Sequence, residues 1–202
     1  MKSKKWTLLA TSLTAMVLMA ACAQSTTTSN TNATTNSATT TATKTNQLSY
    51  FTEKDNDTSY DESTASKIEL SGLSANVSGD GVTVSESTVT IAKSGTYVIS
   101  GQSDGVQIKI EADKSADVHL VLKGATMTNT NAAISATSAG HVYLTLAEGA
   151  TNSLSDSSSN SDEKADAALF SKVDLTINGS GTLTVDGKKN NGIKANDTLH
   201  IT

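Results

Sequence analysis

The stretch AALFSKVDLTING, residues 167–179, is followed in the sequence by a close copy of its pattern, NNGIKANDTLHIT, residues 190–202. Each stretch begins with a short apolar piece, turns through polar residues and ends in a segment whose apolar residues alternate with polar ones. Alternation with a period of two is the pattern of a β-strand that has one buried face. A unit that recurs at a fixed spacing predicts stacked structural repeats.

Five such strands recur along the chain. They begin YVISG at Tyr97, LVLKG at Leu120, LTLAEG at Leu144, LTING at Leu175 and LHIT at Leu199. Their first residues lie 23, 24, 31 and 24 positions apart, and glycine follows four of the five. The long interval contains SDSSSNSDEKAD, residues 155–166, which we interpret as a solvated loop inserted into one repeat.

Two further strand-like pieces accompany each of these strands, as in VQIKI (106–110) before one strand and TLTV (182–185) after another. Three short strands in about 24 residues form one coil of a stacked fold. The sequence therefore predicts an all-β fold, a right-handed single-stranded parallel β-helix with three strands per coil. An antiparallel sandwich also has short strands, but it offers no reason for a repeat. Leucine-rich repeats have similar periods, but no repeat here contains a helical segment.

The last repeat stops after two of its three strands. A terminal coil exposes an unpaired strand edge, which stacked folds usually cap. We therefore expect the chain to be truncated at its C-terminus, as the N-terminal part of a longer protein. The alternative is an intact protein whose last coil is capped by a partner chain.

The first 22 residues are typical of a lipoprotein signal peptide. Three lysines within the first five residues precede an apolar stretch that ends in LMAAC, and Cys22 is the only cysteine in the chain. LMAAC resembles a bacterial lipobox, which implies that Cys22 is acylated and becomes the mature N-terminus. We expect an exported protein anchored to the cell membrane by this lipid; a plain signal peptide cleaved near Ala21 is the alternative.

Residues 23–46 consist almost entirely of Ser, Thr, Asn and Ala, so they cannot bury enough apolar surface to fold. We interpret them as a flexible tether that precedes a folded domain of residues 47–202. The formal net charge is -5, which argues against nucleic acid as a partner, since nucleic-acid binding requires a basic face. We expect the protein to be a monomer.

The runs VTIAKSGTYVISG, VHLVLKGATM and ALFSKVDLTINGSGTLTVDG resemble bacterial secreted carbohydrate-binding proteins whose right-handed β-helix is related to that of pectate lyases. The resemblance covers residues 51–202. It implies binding of a polysaccharide such as cellulose or pectic acid, with calcium ions bound to the β-helix. The family usually has two acidic residues where this chain reads KVDL (172–175), so Val173 departs from the pattern.

Asp174 and Asp197 are the candidate calcium ligands. They lie at the same point of successive repeats, just before Leu175 and Leu199. Stacking would bring the two carboxylates within roughly 5–10 Å of each other, and two carboxylates that close repel unless a cation bridges them. The alternative is that both are turn residues. The acidic run at residues 55–62 fails the EF-hand pattern, and we interpret it as a solvated strand or a cap.

Tyr143 is the candidate carbohydrate-binding residue. Saccharide sites usually present an exposed aromatic ring, and the sole Trp, Trp6, lies in the signal peptide. Strand alternation directs Tyr143 outward, whereas it directs Tyr97 into the core. The three histidines form no sequence motif, and we interpret His119 and His200 as surface residues.

These features together predict a lipid-anchored, non-catalytic, cell-surface protein that binds polysaccharide. One alternative is a structural adhesin or envelope protein without a glycan ligand. A second is a calcium-dependent polysaccharide lyase. Related lyases often use arginine as the base, and this chain has none, although lysine can serve in its place.

Overall fold

The computed structural model of the chain describes residues 50–202. The predicted signal peptide, Cys22 and the tether of residues 23–46 lie outside the described residues. Between residues 50 and 202 the chain forms 15 β-strands and one 3-10 helix, Lys54–Asn56. The prediction of an all-β fold is confirmed. No helix in this range is long and apolar enough to cross a lipid bilayer.

The strands are numbered in chain order. They are β1 (Ser66–Gly72), β2 (Ser74–Ser78), β3 (Val82–Ser85), β4 (Thr88–Ile91), β5 (Gly95–Asp104), β6 (Gln107–Glu111), β7 (Asp117–Thr128), β8 (Ile134–Ser138), β9 (His141–Leu146), β10 (Thr151–Ser155), β11 (Ala167–Ser171), β12 (Asp174–Gly179), β13 (Thr182–Asp186), β14 (Asn191–Ala195) and β15 (Leu199–Ile201).

These strands form two mixed sheets in which most of the pairing is parallel. One sheet has the order β15-β12-β9-β7-β5-β1-β2 and the other has the order β14-β11-β8-β6-β4-β3. Strands β10 and β13 join the first sheet through the second half of β7. Among the described strands, antiparallel pairing occurs only at the hairpins β1–β2 and β3–β4. From β5 onward each strand therefore lies beside its counterpart from the previous repeat.

This pairing places apolar side chains of successive repeats in rows that face the interior. Tyr97 pairs with Leu120, Leu120 with Leu144, and Leu144 with Ile177. All four residues are at most 5% exposed. The inward position predicted for Tyr97 is confirmed, and its buried hydroxyl group donates a hydrogen bond to the Lys93 carbonyl oxygen at 2.9 Å. Burial of such rows is the main favourable contribution to folding.

Glycine stands at an irregularity within β5 and at the end of β12, both strands of the first sheet. Gly101 and Gly179 have φ angles of 87° and 100°, in the region that residues with a Cβ rarely adopt. A Cβ at either position would also collide with a carbonyl oxygen of the previous repeat, that of Leu70 or Leu146 respectively. The glycines that recur in the repeats at these positions therefore stand where no side chain fits.

The register across the inserted loop differs by two residues from the alignment suggested by the sequence. That alignment matches Leu144 with Leu175, whereas the structure pairs Leu144 with Ile177 and Val142 with Leu175. A shift of two residues keeps every side chain on the same face of its strand. The inward assignment is therefore unaffected, and the interval between matched residues across the loop is 33 positions rather than the predicted 31.

The inserted loop of residues 155–166 is not fully solvated, so the prediction is wrong for its first half. Asp156 is fully buried and accepts hydrogen bonds from the Lys188 backbone N–H at 2.7 Å and from Asn160 Nδ2 at 3.2 Å. Asn160 is itself 1% exposed and also donates to the Ala165 carbonyl oxygen. The loop folds back because these polar groups find partners on the backbone.

Leu144→Ala is expected to lower the free energy of unfolding by about 2–5 kcal/mol, because it leaves a cavity between two buried neighbours of the row. Ile201 belongs to the same row but is 60% exposed. Ile201→Ala is therefore a matched control, with an expected loss of about 0.5 kcal/mol or less. Urea unfolding followed by circular dichroism measures both, and equal losses would contradict this description of the core.

Candidate functional site

The outer face of the first sheet carries a ladder of polar side chains. Because strand residues alternate, the residues beside the buried row point outward. His119 pairs with Tyr143, Tyr143 with Thr176, and Thr176 with His200. His141, two positions before Tyr143, lies on the same face. The fold thus brings together three histidines that form no motif in the sequence.

Residues 51–60, which we call the N-terminal segment because they stand near the start of the described chain, cross this face. They place a buried carboxylate against it. Asp55, in the 3-10 helix, is 1% exposed. Its Oδ1 accepts a hydrogen bond from Thr176 Oγ1 at 2.5 Å, and its Oδ2 accepts two from Thr52, at 2.7 Å each. Burial opposes ionisation, but these hydrogen bonds outweigh it and hold the pKa of Asp55 well below its ordinary value. Asp55 is therefore a charged and buried group, and of the two interpretations of residues 55–62, a solvated strand or a cap, the solvated strand is wrong at this residue.

Two more side chains of the sheet hold the same segment. Asn178 Nδ2 donates hydrogen bonds to the carbonyl oxygens of Asp55 and Asp57, at 3.0 and 3.1 Å. His200 Nδ1 is buried 3.3 Å from Asp55 Oδ1, within reach of an ion pair although not in hydrogen-bond geometry. The ring of Phe51 packs edge-on against the His200 ring, with 5.2 Å between centroids. The segment is thus fixed to strands more than a hundred positions away in the sequence.

Two of the histidines are hydrogen-bonded to a threonine of the next repeat. His119 Nε2 lies 2.7 Å from Thr145 Oγ1, and the Thr145 hydroxyl group donates to Asn178 Oδ1 at 2.6 Å. His141 Nε2 lies 2.9 Å from Thr176 Oγ1. Burial lowers the pKa of His119 and of His141 below the ordinary histidine value. Both imidazoles are therefore mainly neutral at pH 7.

A groove of about 250 Å³ opens between the N-terminal segment and the outer face of the sheet. We call it the Tyr143 groove. Its lining includes Lys54, Asp57, Ser59, Asp117, His119 and Tyr143. The groove therefore combines one aromatic ring with hydroxyl, carboxylate, ammonium and imidazole groups, all capable of directed hydrogen bonds.

The charges of the Tyr143 groove are partly paired. Lys54 forms an ion pair with Asp117, and the hydrogen bond to Asp117 raises the pKa of Lys54. Hydrogen bonds from the hydroxyl group and backbone N–H of Ser59 lower the pKa of Asp57. With His119 neutral, one ammonium group faces two carboxylates, so the lining carries one excess negative charge.

Tyr143, the residue predicted to contact carbohydrate, lies on the outer face of β9 and lines the groove. Its ring stacks on the His141 ring with 4.1 Å between centroids and an angle of 8°, and Lys54 Nζ lies 4.8 Å from the Tyr143 centroid. Tyr143 is 8% exposed, and burial raises the pKa of its hydroxyl group. The ring is therefore held in a fixed orientation by His141 and Lys54, and little of its surface is exposed in the absence of a ligand. Its contact with saccharide stays a prediction.

The predicted calcium ligands lie side by side, as stacking required. Asp174 Oδ1 and Asp197 Oδ1 each accept a hydrogen bond from the Thr198 backbone N–H at 3.1 Å. Both line a separate cavity of about 280 Å³. Within residues 50–202, no group of three or more His, Cys, Asp or Glu side chains is placed to hold a metal ion. The hydrogen bonds give both carboxylates a role in the turn, and their role as calcium ligands stays a prediction.

Sequence reasoning missed Asp55 and His119. Only the nearby Thr52 distinguishes Asp55 from Asp57 in the run DNDTSYDE, because the other partners of Asp55 lie 121 positions or more away. The spacing of Thr52 and Asp55 was the available signal, since a side chain that bonds back to a nearby N–H is typical of a structured turn. For His119, the signal was its outward position beside Tyr143.

Comparisons with known proteins point to carbohydrate. The model of a family described as "Carbohydrate-binding domain-containing protein" matches residues 85–202. A protein of that description from Acetivibrio thermocellus is 40% identical over 129 residues, which are 61% of this chain and 45% of the relative. The chain thus spans about half the length of the curated relative that it matches.

A solved structure is also similar. It is the gadolinium derivative of the polysaccharide lyase-like protein from C. thermocellum, with a TM-score of 0.66 and 38% sequence identity. The similarity covers 68% of this chain and 58% of that one. The residues matched by the family model contain His119 and Tyr143 but not Asp55.

Asp55→Asn is expected to lower the free energy of unfolding at pH 7 by about 1–3 kcal/mol, because an amide keeps only one of the two acceptor oxygens that are used. The pKa of Asp55 is lower in the folded protein than its ordinary value of 3.8. The charged form therefore stabilises the fold above that value, and this stabilisation is lost as the pH falls below it. The difference in free energy of unfolding between wild type and variant should therefore become smaller below about pH 4.

The control for this prediction is Asp113→Asn. Asp113 makes similar hydrogen bonds, to the backbone N–H and hydroxyl group of Ser115, but it is exposed. We expect little change in stability from its substitution. Chemical denaturation at a series of pH values measures both variants. If Asp55→Asn lowers the free energy of unfolding by the same amount at every pH, the charge of Asp55 does not stabilise the fold.

Proposed function

Because this chain belongs to the family of carbohydrate-binding domain-containing proteins, we propose that it binds polysaccharide and that the Tyr143 groove is the binding site. One observation carries the proposal: an aromatic ring, fixed in orientation, lines a groove together with several hydrogen-bonding side chains. Ligand sites combine apolar or aromatic surface with a few placed polar groups. A sugar ring matches such a surface, since it has carbon–hydrogen faces and a rim of hydroxyl groups.

The charge of the groove favours a neutral polysaccharide. Lys54 is already paired with Asp117, and Asp57 adds a second carboxylate. The uronate groups of pectic acid would face this excess negative charge, and like charges in proximity are unfavourable. A β-glucan such as cellulose carries no charge to repel. We therefore propose cellulose or a related neutral glucan as the ligand, with pectic acid as the less favoured one.

We infer further that the stacked repeats form a right-handed parallel β-helix. The parallel pairing of strands one repeat apart supports this, as does the right-handed preference of connections between parallel strands. Stacking extends the outer face along the axis of the fold. An extended polysaccharide chain suits such a face better than a compact ligand would.

For location, we propose that the protein is exported and held at the cell surface by a lipid on Cys22. The lipobox-like LMAAC supports this proposal. The Ser- and Thr-rich tether would then space the binding face away from the membrane. Such an arrangement suits a protein that holds an insoluble polysaccharide close to the cell.

We propose that the protein binds without catalysis. Its relatives are named for carbohydrate binding, and the only lysine in the groove lining, Lys54, is engaged by Asp117. The alternative, β-elimination, requires a base beside the acidic carbon of a uronate. Because the solved relative is named polysaccharide lyase-like, the experiment below also assays for lyase activity.

The purified protein is expected to be depleted from solution by cellulose, with weaker depletion by polygalacturonate and no release of unsaturated product absorbing in the ultraviolet. Tyr143→Ala should weaken binding to cellulose about tenfold or more, since aromatic anchors contribute most to such sites. Tyr143→Phe keeps the ring and should retain most of the affinity. Tyr50→Ala removes an 81% exposed tyrosine outside the groove and serves as the control.

Three outcomes would contradict the proposal. Equal binding by wild type and Tyr143→Ala, with both shown to be folded by thermal unfolding, would move the site elsewhere. Binding to neither polysaccharide would favour a structural adhesin without a glycan ligand. Release of an unsaturated product from polygalacturonate would favour a lyase.

Calcium is proposed at Asp174 and Asp197, where the residues present fit the ion only in part. Their Oδ2 atoms take no part in the hydrogen bonds to Thr198. Two carboxylates supply fewer oxygens than the six to eight that calcium takes, so solvent would have to complete the shell. Such a site would be weak, and it lies outside the lining of the Tyr143 groove.

Calcium at millimolar concentration is therefore expected to raise the thermal unfolding temperature slightly, because binding to the folded state alone stabilises it. The double variant Asp174→Asn, Asp197→Asn should lose this response. Asp113→Asn, which alters an exposed aspartate in another turn, is the control. Cellulose binding should be insensitive to a chelator, and the same calcium response in the double variant would place the ion elsewhere.

A further inference from the structure

The orientation of one buried amide determines the protonation pattern of a hydrogen-bond chain that ends in the Tyr143 groove. Asn178 is 2% exposed and lies 3.0 and 3.1 Å from the carbonyl oxygens of Asp55 and Asp57. Carbonyl oxygens only accept hydrogen bonds. The atom of Asn178 that faces them must therefore be the nitrogen, so its Oδ1 faces Thr145.

The rest of the chain follows from this orientation. Asn178 Oδ1 can only accept, so the Thr145 hydroxyl group donates its single proton to it at 2.6 Å. Thr145 Oγ1 is then left with lone pairs, and it accepts a hydrogen bond from His119 Nε2 at 2.7 Å. The proton of neutral His119 therefore resides on Nε2. Its Nδ1 is left without a proton, as a hydrogen-bond acceptor.

No residue between 50 and 202 donates a hydrogen bond to His119 Nδ1, although the side chain lines the groove. Three neighbouring groups face this imidazole from the N-terminal segment: the Asp57 carboxylate, the Lys54 ammonium group and the edge-on Tyr60 ring at 6.5 Å. Burial keeps the ring neutral at pH 7. His119, a lining residue of the groove, thus carries a preoriented acceptor with no partner among the described residues.

We infer that His119 Nδ1 accepts a hydrogen bond from a hydroxyl group of the bound saccharide, and that Thr145 is the positioning residue that holds the imidazole in the required tautomer. This inference rests on the proposed function, and it names the polar contact that accompanies the Tyr143 ring. A fixed acceptor recognises a hydroxyl group and rejects a ligand that presents only acceptors at that point. It therefore selects a sugar hydroxyl over a uronate oxygen.

His141 provides an internal comparison. Its Nε2 donates to Thr176 Oγ1 by the same reasoning, because the Thr176 hydroxyl group donates to the Asp55 carboxylate. His141 is stacked under Tyr143 and does not line the groove. The two rings therefore share one tautomer, but only His119 should sense the ligand.

The test is nitrogen NMR of the protein labelled with ¹⁵N-histidine, with and without cellotetraose, beside a depletion assay with cellulose. In the free protein, His119 should show a protonated Nε2 and an unprotonated Nδ1. With cellotetraose, the Nδ1 resonance should shift toward that of a hydrogen-bonded nitrogen while the tautomer is retained. His141 should keep the same tautomer, and its Nδ1 resonance should not shift when cellotetraose is added.

Variants separate the acceptor from the group that positions it. His119→Phe keeps an aromatic ring but no acceptor, and binding of cellotetraose should weaken about three- to tenfold, the usual effect of one neutral hydrogen bond. Thr145→Val removes the hydroxyl group while conserving shape, and should produce a mixture of His119 tautomers. Thr145→Ser restores the hydroxyl group and should restore the single tautomer.

Each outcome decides a different point. A protonated Nδ1 in the free protein overturns the inference whatever the protein binds. Binding of cellotetraose with an unmoved Nδ1 overturns the inference but leaves the proposed function standing. Depletion by no polysaccharide overturns the proposed function and this inference with it. If Thr145→Val does not fold, the wild-type spectra and His119→Phe still decide.

Discussion

Parallel pairing between equivalent strands of successive repeats is the constraint on which the rest of this structure depends. In such a ladder every position lies directly beside its counterpart from the repeat before. A residue type that suits the interior must therefore recur, which is why Tyr97, Leu120 and Leu144 form one buried row. The same constraint acts on the outward positions. It gathers polar side chains from distant parts of the sequence into a ladder on one face.

Asp55 fixes the segment that closes one side of the Tyr143 groove over this polar ladder. A buried carboxylate is costly unless its oxygens are satisfied, and here hydrogen bonds from Thr52 and Thr176 satisfy them. The segment that carries Asp55 is thereby fixed across the face of the sheet. Its neighbours Lys54 and Asp57 become one wall of the Tyr143 groove. The groove thus depends on an interaction between the beginning of the described chain and strands near its end.

The all-β class and the inward positions could be predicted from the sequence, because both rest on local alternation and on glycine at corners. Tyr97 and Gly179 illustrate this: each is explained by its own repeat and the one beside it. The pairing of Leu144 with Ile177 could not be predicted, because the inserted loop hides where the repeat resumes. The burial of Asp156 was missed because the fold brings its hydrogen-bond donors, Asn160 Nδ2 and the Lys188 backbone N–H, to it.

Of the site, the sequence predicted the outward placement of Tyr143 and the proximity of Asp174 to Asp197. It did not predict Asp55 or the chain from Asn178 to His119, since these contacts join residues that no periodicity relates. Long-range polar contacts depend on where a non-repeating segment lies. A repeat pattern carries no information about such a segment.

We propose that the protein recognises a neutral polysaccharide on the outer face of its first sheet. The most direct measurement is the set of nuclear Overhauser contacts between bound cellotetraose and the aromatic protons of the protein. We expect contacts from sugar ring protons to the Tyr143 ring and to His119, and none to Tyr50. Bound sugar whose contacts lie only at other residues would contradict the assignment of the groove.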